Sequence, residues 1–201
     1  MNLTKLQSFV EHVNFSGGVL IPHRWELTIP KPPKRNRFME YNVNEIGEEH
    51  LTMACRTVQL PGRTISTNAV VAPGPEQKYP YQDVFDDLEV TFICTTGNTL
   101  KEQGTLWKDG ISGIPERRYF DAWQSTICDQ ETMVMEYSEN YSVEMILTVF
   151  DNKDVQLGNY IFDRCYPLMV GPIEFSHDTD AAAEFSVTFN YDRWEYNEKR
   201  K

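Results

Sequence analysis

The sequence predicts a mainly β fold, an antiparallel β-sandwich or barrel with one α-helix on its flank. Three observations carry that prediction. Apolar and polar residues alternate at period two in several short runs, most cleanly at 88–95, where Leu88, Val90, Phe92 and Cys94 share one face and Glu89, Thr91, Ile93 and Thr95 the other. In the body of the chain the strong helical period is at 117–128, where Tyr119, Phe120, Trp123 and Ile127 form a stripe that would pack on a sheet. Glycines and prolines fall between these runs and punctuate them as turns. With 201 residues the chain suits one large domain, or a core domain with elaborations, and buries a real core.

In chain order, Leu3, Leu6, Phe9, Val10 and Val13 recur at helical spacing and Gly17-Gly18 closes them, which predicts a short amphipathic helix in an N-terminal arm, 1–23. The core domain follows at 24–196. Trp25, Leu27 and Ile29 alternate with Arg24, Glu26 and Thr28 in a half-buried strand ended by Pro30. The diproline of 31–37 makes a loop whose charges are solvated. A second strand, 51–58, sets Leu51, Met53 and Cys55 on one face until Pro61-Gly62 stop it. Beyond it, Ile65, Val70 and Val71 are interleaved with Pro73, Gly74, Pro75 and Pro80, the pattern of a projecting hairpin or loop, not of a linker. So long a connection is uncommon in a compact domain unless it has work to do.

After the strand at 88–95, the segment 97–116 reads as an irregular, glycine-containing insertion before the helix. Runs at 142–151 and 159–167 form two strands about the turn Asp151-Asn152-Lys153-Asp154. A short strand is expected at 172–177. A last strand at 184–196, with Phe185, Val187, Phe189 and Tyr191 alternating, closes the domain, leaving 197–201 as a charged tail.

Composition excludes several functions. A net charge of −11 argues against tight nucleic-acid binding, which draws its affinity from clustered Lys and Arg. Cys55, Cys94, Cys128 and Cys165 are far apart in sequence, with no CxxC pair, and are expected to be free thiols in a reducing cytoplasm. Neither a signal peptide nor a membrane-spanning run is expected, so the three Asn-x-Ser/Thr matches at Asn2, Asn14 and Asn140 carry no glycosylation. Asp86 and Asp87 are neighbours whose side chains diverge on a strand, His12, His23, His50 and His177 are scattered, and neither a GxSxG elbow nor a phosphate loop occurs. The sequence therefore predicts no catalytic residue, no metal and no cofactor.

Five pieces in order carry a resemblance: RWELTI, MACRTVQLPG, FDDLEVTF, FDAWQSTI and the closing YPLMVGPIEFSHDTDAAAEFSVTFNYDRWE. Together they span most of 24–195, and they resemble the tail tube proteins of contractile-tailed bacteriophages and the tubes of related injection systems. The resemblance implies a tail-tube-type barrel whose subunits join side by side into a hexameric ring around a channel. Rings would stack into a tube inside the virion tail, assembled in the host cytoplasm, with sheath, baseplate and tail terminator proteins as partners and phage DNA passing through without specific binding. The family's loop to the adjacent ring falls on 61–82, which makes Ile65, Val70, Val71, Tyr79 and Tyr81 the expected inter-ring residues. Polar positions of the two clearest strand regions, Glu89, Thr91, Glu144 and Thr148, are the expected channel lining.

Two alternatives stand beside the tube subunit. The insertion at 97–116 and the tail suit a baseplate tube initiator with the same fold. A β-sandwich carbohydrate-binding module, gripping its ligand with exposed aromatic rings, is the reading from another class, and it predicts a monomer.

Overall fold

The computed structural model describes residues 20, 22–34, 36–40, 43, 46–70, 76–96, 113–178 and 181–198. The expected N-terminal helix, Val71 and most of the 97–116 insertion lie outside these. Among the described residues the elements are β1 (Trp25–Thr28), α1 (Asn36–Glu40), α2 (Glu48–Ala54), β2 (Cys55–Gln59), β3 (Arg63–Val70), β4 (Gln77–Phe85), β5 (Leu88–Ile93), α3 (Pro115–Ile127), α4 (Ser138–Tyr141), β6 (Val143–Phe150), β7 (Gln156–Val170), β8 (Glu184–Asn190) and β9 (Arg193–Glu198).

Seven strands are hydrogen-bonded along the path β1-β6-β7-β8-β5-β2, with β9 also pairing β7, and every pairing is antiparallel. The long strand β7 folds this path into two layers. Up to Cys165 it pairs with β6 and β9, and from Tyr166 onward it pairs with β8. The switch follows a bulge: Val143 faces Cys165 while Met145 faces Phe162, so β7 carries one extra residue there, and Arg164 takes φ 54°. An unpaired residue in the left-handed region bends a strand sharply, which is what lets one strand serve two sheets. One layer is thus β1-β6-β7-β9, the other β2-β5-β8 with the end of β7.

The alternation predicted from sequence is the burial pattern of these strands. Leu88, Val90 and Phe92 of β5, Phe185, Val187 and Phe189 of β8, and Leu27, Met145, Leu147 and Phe162 of the other layer join one core. Helix α3 completes it. Pro115 opens the helix, and Tyr119, Phe120 and Trp123 are fully buried, with the Phe120 ring 4.9 Å from Phe92 and 5.8 Å from Phe189. Trp123 keeps its indole N–H satisfied by donating to the Tyr141 carbonyl at 2.8 Å.

Three expectations are corrected. Residues 51–54 are helical, not strand: Glu48 and Glu49 stand in the favourable first turn of α2, Leu51 and Ala54 are buried three residues apart, and Met53, placed by the sequence on the same face as Leu51, is 81% exposed. The run 172–177 forms no strand, and its Phe175 is exposed. The closing run is two strands, because the chain turns at Tyr191-Asp192 from one layer to the other. There the Asp192 amide donates to the Asp163 carbonyl at 3.0 Å and the Tyr191 hydroxyl to that of Asp86 at 2.6 Å. Consequently α3 is one of four helices among the described residues, and β9 runs to Glu198, inside the expected tail.

One buried carboxylate ties the helices to the sheet. Glu116, fully buried in the first turn of α3, meets His50 Nε2 at 2.7 Å and accepts from the Thr95 amide at 3.1 Å and its hydroxyl at 2.5 Å. Burial alone would raise its pKa, but the hydrogen bonds from His50 and Thr95 outweigh that and hold it below the usual carboxylate range. The network's stabilisation is therefore full above the unfolded carboxylate pKa of about 4.3 and is lost as pH falls through the lower folded value. Glu116→Ala is expected to cost about 1–3 kcal/mol at neutral pH by orphaning buried donors, and less in acid. Urea melts at pH 7 and pH 3 check this: an equal loss at both would contradict it.

Candidate functional site: a projecting ribbon and a polar sheet face

The segment whose sequence predicts a projecting hairpin or loop is a two-stranded ribbon, β3 on β4, with eight residue pairs from Arg63↔Phe85 to Val70↔Gln77. It prolongs the β2-β5 pair. Gln59 faces Glu89 at the end of that pair, and four residues on, Arg63 faces Phe85. Pro61 and Gly62 break the first strand while Asp86 and Asp87 break the second. A side chain at Gly62 would meet the Asp86 carboxylate at 2.8 Å, so glycine permits this close approach. At about 3.3 Å per residue the ribbon reaches about 26 Å beyond the layer.

Its root is held firmly. The Asp86 amide donates to the Gly62 carbonyl at 3.3 Å, Phe85 lies 6.3 Å from the Tyr191 ring and 6.5 Å from Trp194, and Arg63 pairs with Asp83 at 2.5 Å while its guanidinium sits 5.7 Å over Phe85. That pairing holds the Asp83 carboxyl below its usual range. Beyond the root the two strands pack extensively only on each other among the described elements. The pairing slips between Ser66 and Thr67, which face Gln82 and Pro80, so Tyr81 is the extra residue of a bulge. Pro80, which has no N–H to give a ladder, is accommodated beside it.

Ile65 is 57% exposed, Tyr79 53% and Tyr81 66%. The register sets Ile65 and Tyr79 on opposite faces of the ribbon, with the bulged Tyr81 between. Nothing is described for the Val70 side chain or for Val71. Exposed apolar bulk on both faces of an isolated ribbon is what a monomeric protein avoids.

The expected channel residues fall into two pairs. Glu89 and Thr91 lie on the outward face of the β5 layer, level with Thr57, Gln59, Ser186 and Thr188. Glu144 and Thr148 lie on the outward face of the other layer, beside Glu26, Asn159 and the apolar Ile146 and Ile161. The layers share one core, so a single wall takes one pair or the other. The β5 face is dominated by hydroxyls and carboxylates, and α3 covers its opposite side through Phe92, Phe185 and Phe189. Arg56 is paired there with Glu184.

The layer has two margins. Strand β2 is an edge. The end of β7 is the other, where Gln124 donates to the Leu168 carbonyl at 3.4 Å and Arg117 to the carbonyls of Val170 and Gly171, and where Leu168 and Met169 stand exposed. Sequence reasoning missed this second margin because a continuous run such as NYIFDRCYPLMV gives no sign that its strand changes sheets.

Among the described residues no group of three or more His, Cys, Asp or Glu is placed to hold a metal ion, and no helix is long and apolar enough to cross a membrane. Cys165 is buried and the other three cysteines half-buried, all free. Burial pushes the thiols of Cys55 and Cys165 up to about 12.

The fold has counterparts among solved structures. A chain of the anti-feeding prophage baseplate, solved with six-fold symmetrisation, superposes with a TM-score of 0.57 at 7% identity, covering 91% of this chain and 98% of that one. A chain of the tube-terminating cap of the same prophage gives 0.56 at 10% identity over 90% and 91%. One from the sheath-tube complex of the extracellular contractile injection system PVC, in the extended state, gives 0.53 at 13% identity over 90% and 92%. Among curated proteins, none matches. The phage tail tube protein model matches residues 21–197, from before β1 almost to the end of β9. That match takes in the ribbon and both layers, and the chain belongs to the phage tail tube protein family, whose members are structural tube proteins and not enzymes.

Proposed function

We propose that the chain is the subunit of a phage tail tube, forming stacked hexameric rings around a channel through which the genome is delivered. The observation that carries this reading is the ribbon, which prolongs the β5 layer beyond the domain and offers Ile65, Tyr79 and Tyr81 to another molecule. The inter-ring segment 61–82, with Val70 and Val71 included, is the clamp. In the ring, the β2 edge of one subunit lies beside the β7 margin of the next, which removes exposed edges by closure. Each subunit then contributes four strands, β2, β5, β8 and the end of β7, to the wall. Glu89 and Thr91 face the channel, while α3 and the other layer, with Glu144 and Thr148, lie outside. A wall of hydroxyls and carboxylates repels a passing polyanion slightly and holds it nowhere.

Sheath, baseplate and terminator proteins are the partners this role requires. The similar folds in a baseplate, a cap and a sheath-tube complex support that, as the family supports a place in the virion tail. A tube initiator is the second reading, favoured by the insertion at 97–116; it would stop at a single ring. Sedimentation of the purified protein at rising concentration is expected to show hexamers and larger species in moderate salt. Monomer alone at every concentration would contradict both readings and favour a binding module.

A further inference from the structure

The ribbon leaves the β5 layer at the end marked by Gln59 and Glu89. The opposite end of the same layer is marked by Ile93, which faces Glu184, and by the Cys94 amide, which donates to the Ala183 carbonyl at 2.9 Å. There the chain leaves β7 at Gly171 and returns at Glu184 through a connection that forms no strand among its described residues. This connection presents Phe175, 79% exposed, over a notch of about 440 Å³ lined by Pro172, Ala181 and Ala182 among others. A large aromatic ring held in water costs free energy unless another molecule covers it.

We infer that this notch is the socket for the ribbon of a second copy in the neighbouring ring, an inference that rests on the tube reading. Ribbon and notch stand at opposite ends of one layer, so a head-to-tail stack brings one copy's ribbon to the next copy's notch, a heterologous contact that repeats without closing. Their chemistry matches. The ribbon carries Ile65, Tyr79 and Tyr81 with the cation Lys78, and the notch carries Phe175 flanked by the exposed carboxylates Glu174 and Asp178. The small side chains of Ala181 and Ala182 in its lining leave room for an incoming tyrosine ring.

The experiment pairs assembly with cross-linking. Phe175→Asp changes a surface residue, so its melting curve should match wild type while electron microscopy finds rings without long tubes. Phe175→Cys is then mixed with Ile65→Cys, Tyr79→Cys or Tyr81→Cys protein, assembled, and treated with a short bismaleimide. A covalent dimer is expected in at least one mixture and in neither partner alone. Cys165 is buried and Cys55, Cys94 and Cys128 are half-buried, so each single-cysteine variant and the wild-type protein are treated alongside to set the background. If tubes form but no ribbon cysteine joins position 175, or Phe175→Asp tubes grow as before, the socket is elsewhere and the tube reading stands. If wild type forms neither rings nor tubes, both fail.

Discussion

Replacing Ile65, Tyr79 and Tyr81 together by serine is expected to abolish long tubes while leaving the fold, and the ring, intact. All three side chains are more than half exposed in the single chain and belong to strands that, among the described elements, pack extensively only on each other beyond the root. Little folding free energy is therefore lost with them. In a stack the same side chains become covered, at about 1.5–3 kcal/mol for each large apolar group fully buried. Partial burial at each contact, repeated around the ring, still amounts to a stacking energy far above thermal energy. Electron microscopy of the variant should show isolated rings at concentrations where wild type forms tubes, with an unchanged melting temperature measured below the assembly threshold. Tubes of normal length would show the ribbon to be a tolerated projection, and an unfolded variant would show it to belong to the core.

Phe120→Ala is expected to do the reverse, weakening the fold itself and with it every assembly built on it. Phe120 is fully buried where α3 meets the β5 layer, its ring 4.9 Å from Phe92, 6.1 Å from Phe185 and 5.8 Å from Phe189. Truncating such a ring typically costs about 3–5 kcal/mol, because neighbours anchored on two strands and a helix collapse only partly into the hole. Against a total stability of about 5–15 kcal/mol, that removes a large share. For a chain of this length the melting temperature should fall by roughly 6–20 °C. Calorimetry on dilute protein checks it. A shift within a few degrees would mean that the helix is docked loosely and the core does not depend on it.

The strands that pack on a core were legible because one face is buried and the other wet. Leu88, Val90 and Phe92 alternate with Glu89, Thr91 and Ile93 in sequence and in burial alike. The stripe of α3 was legible for the same reason. What failed has physical causes. Leu51 and Met53 suggest a strand, yet Leu51 and Ala54 satisfy a helix equally well, and a run that short cannot choose between the periods. The turn at Tyr191-Asp192 and the bulge at Arg164 depend on which sheet receives the chain next, a long-range matter that no local pattern records. The ribbon was half legible. Its β-branched residues and turn formers marked a projection, but with no buried face its strands show no alternation to count. The expected channel residues are polar strand positions, and their division between two layers follows from pairings that the sequence does not spell out.

In the proposed assembly this chain closes into rings with its β5 layer inward and stacks them through the ribbon. Electron cryomicroscopy of the purified protein, raised in concentration until it assembles, tests it most directly. Long tubes of six-fold rings are expected, with Glu89 and Thr91 on the channel wall, α3 outside, and each ribbon seated on the ring beyond. Isolated rings that never stack would assign the protein to the start of a tube, and tubes whose channel is lined by Glu144 and Thr148, with the ribbons free in solvent, would contradict it.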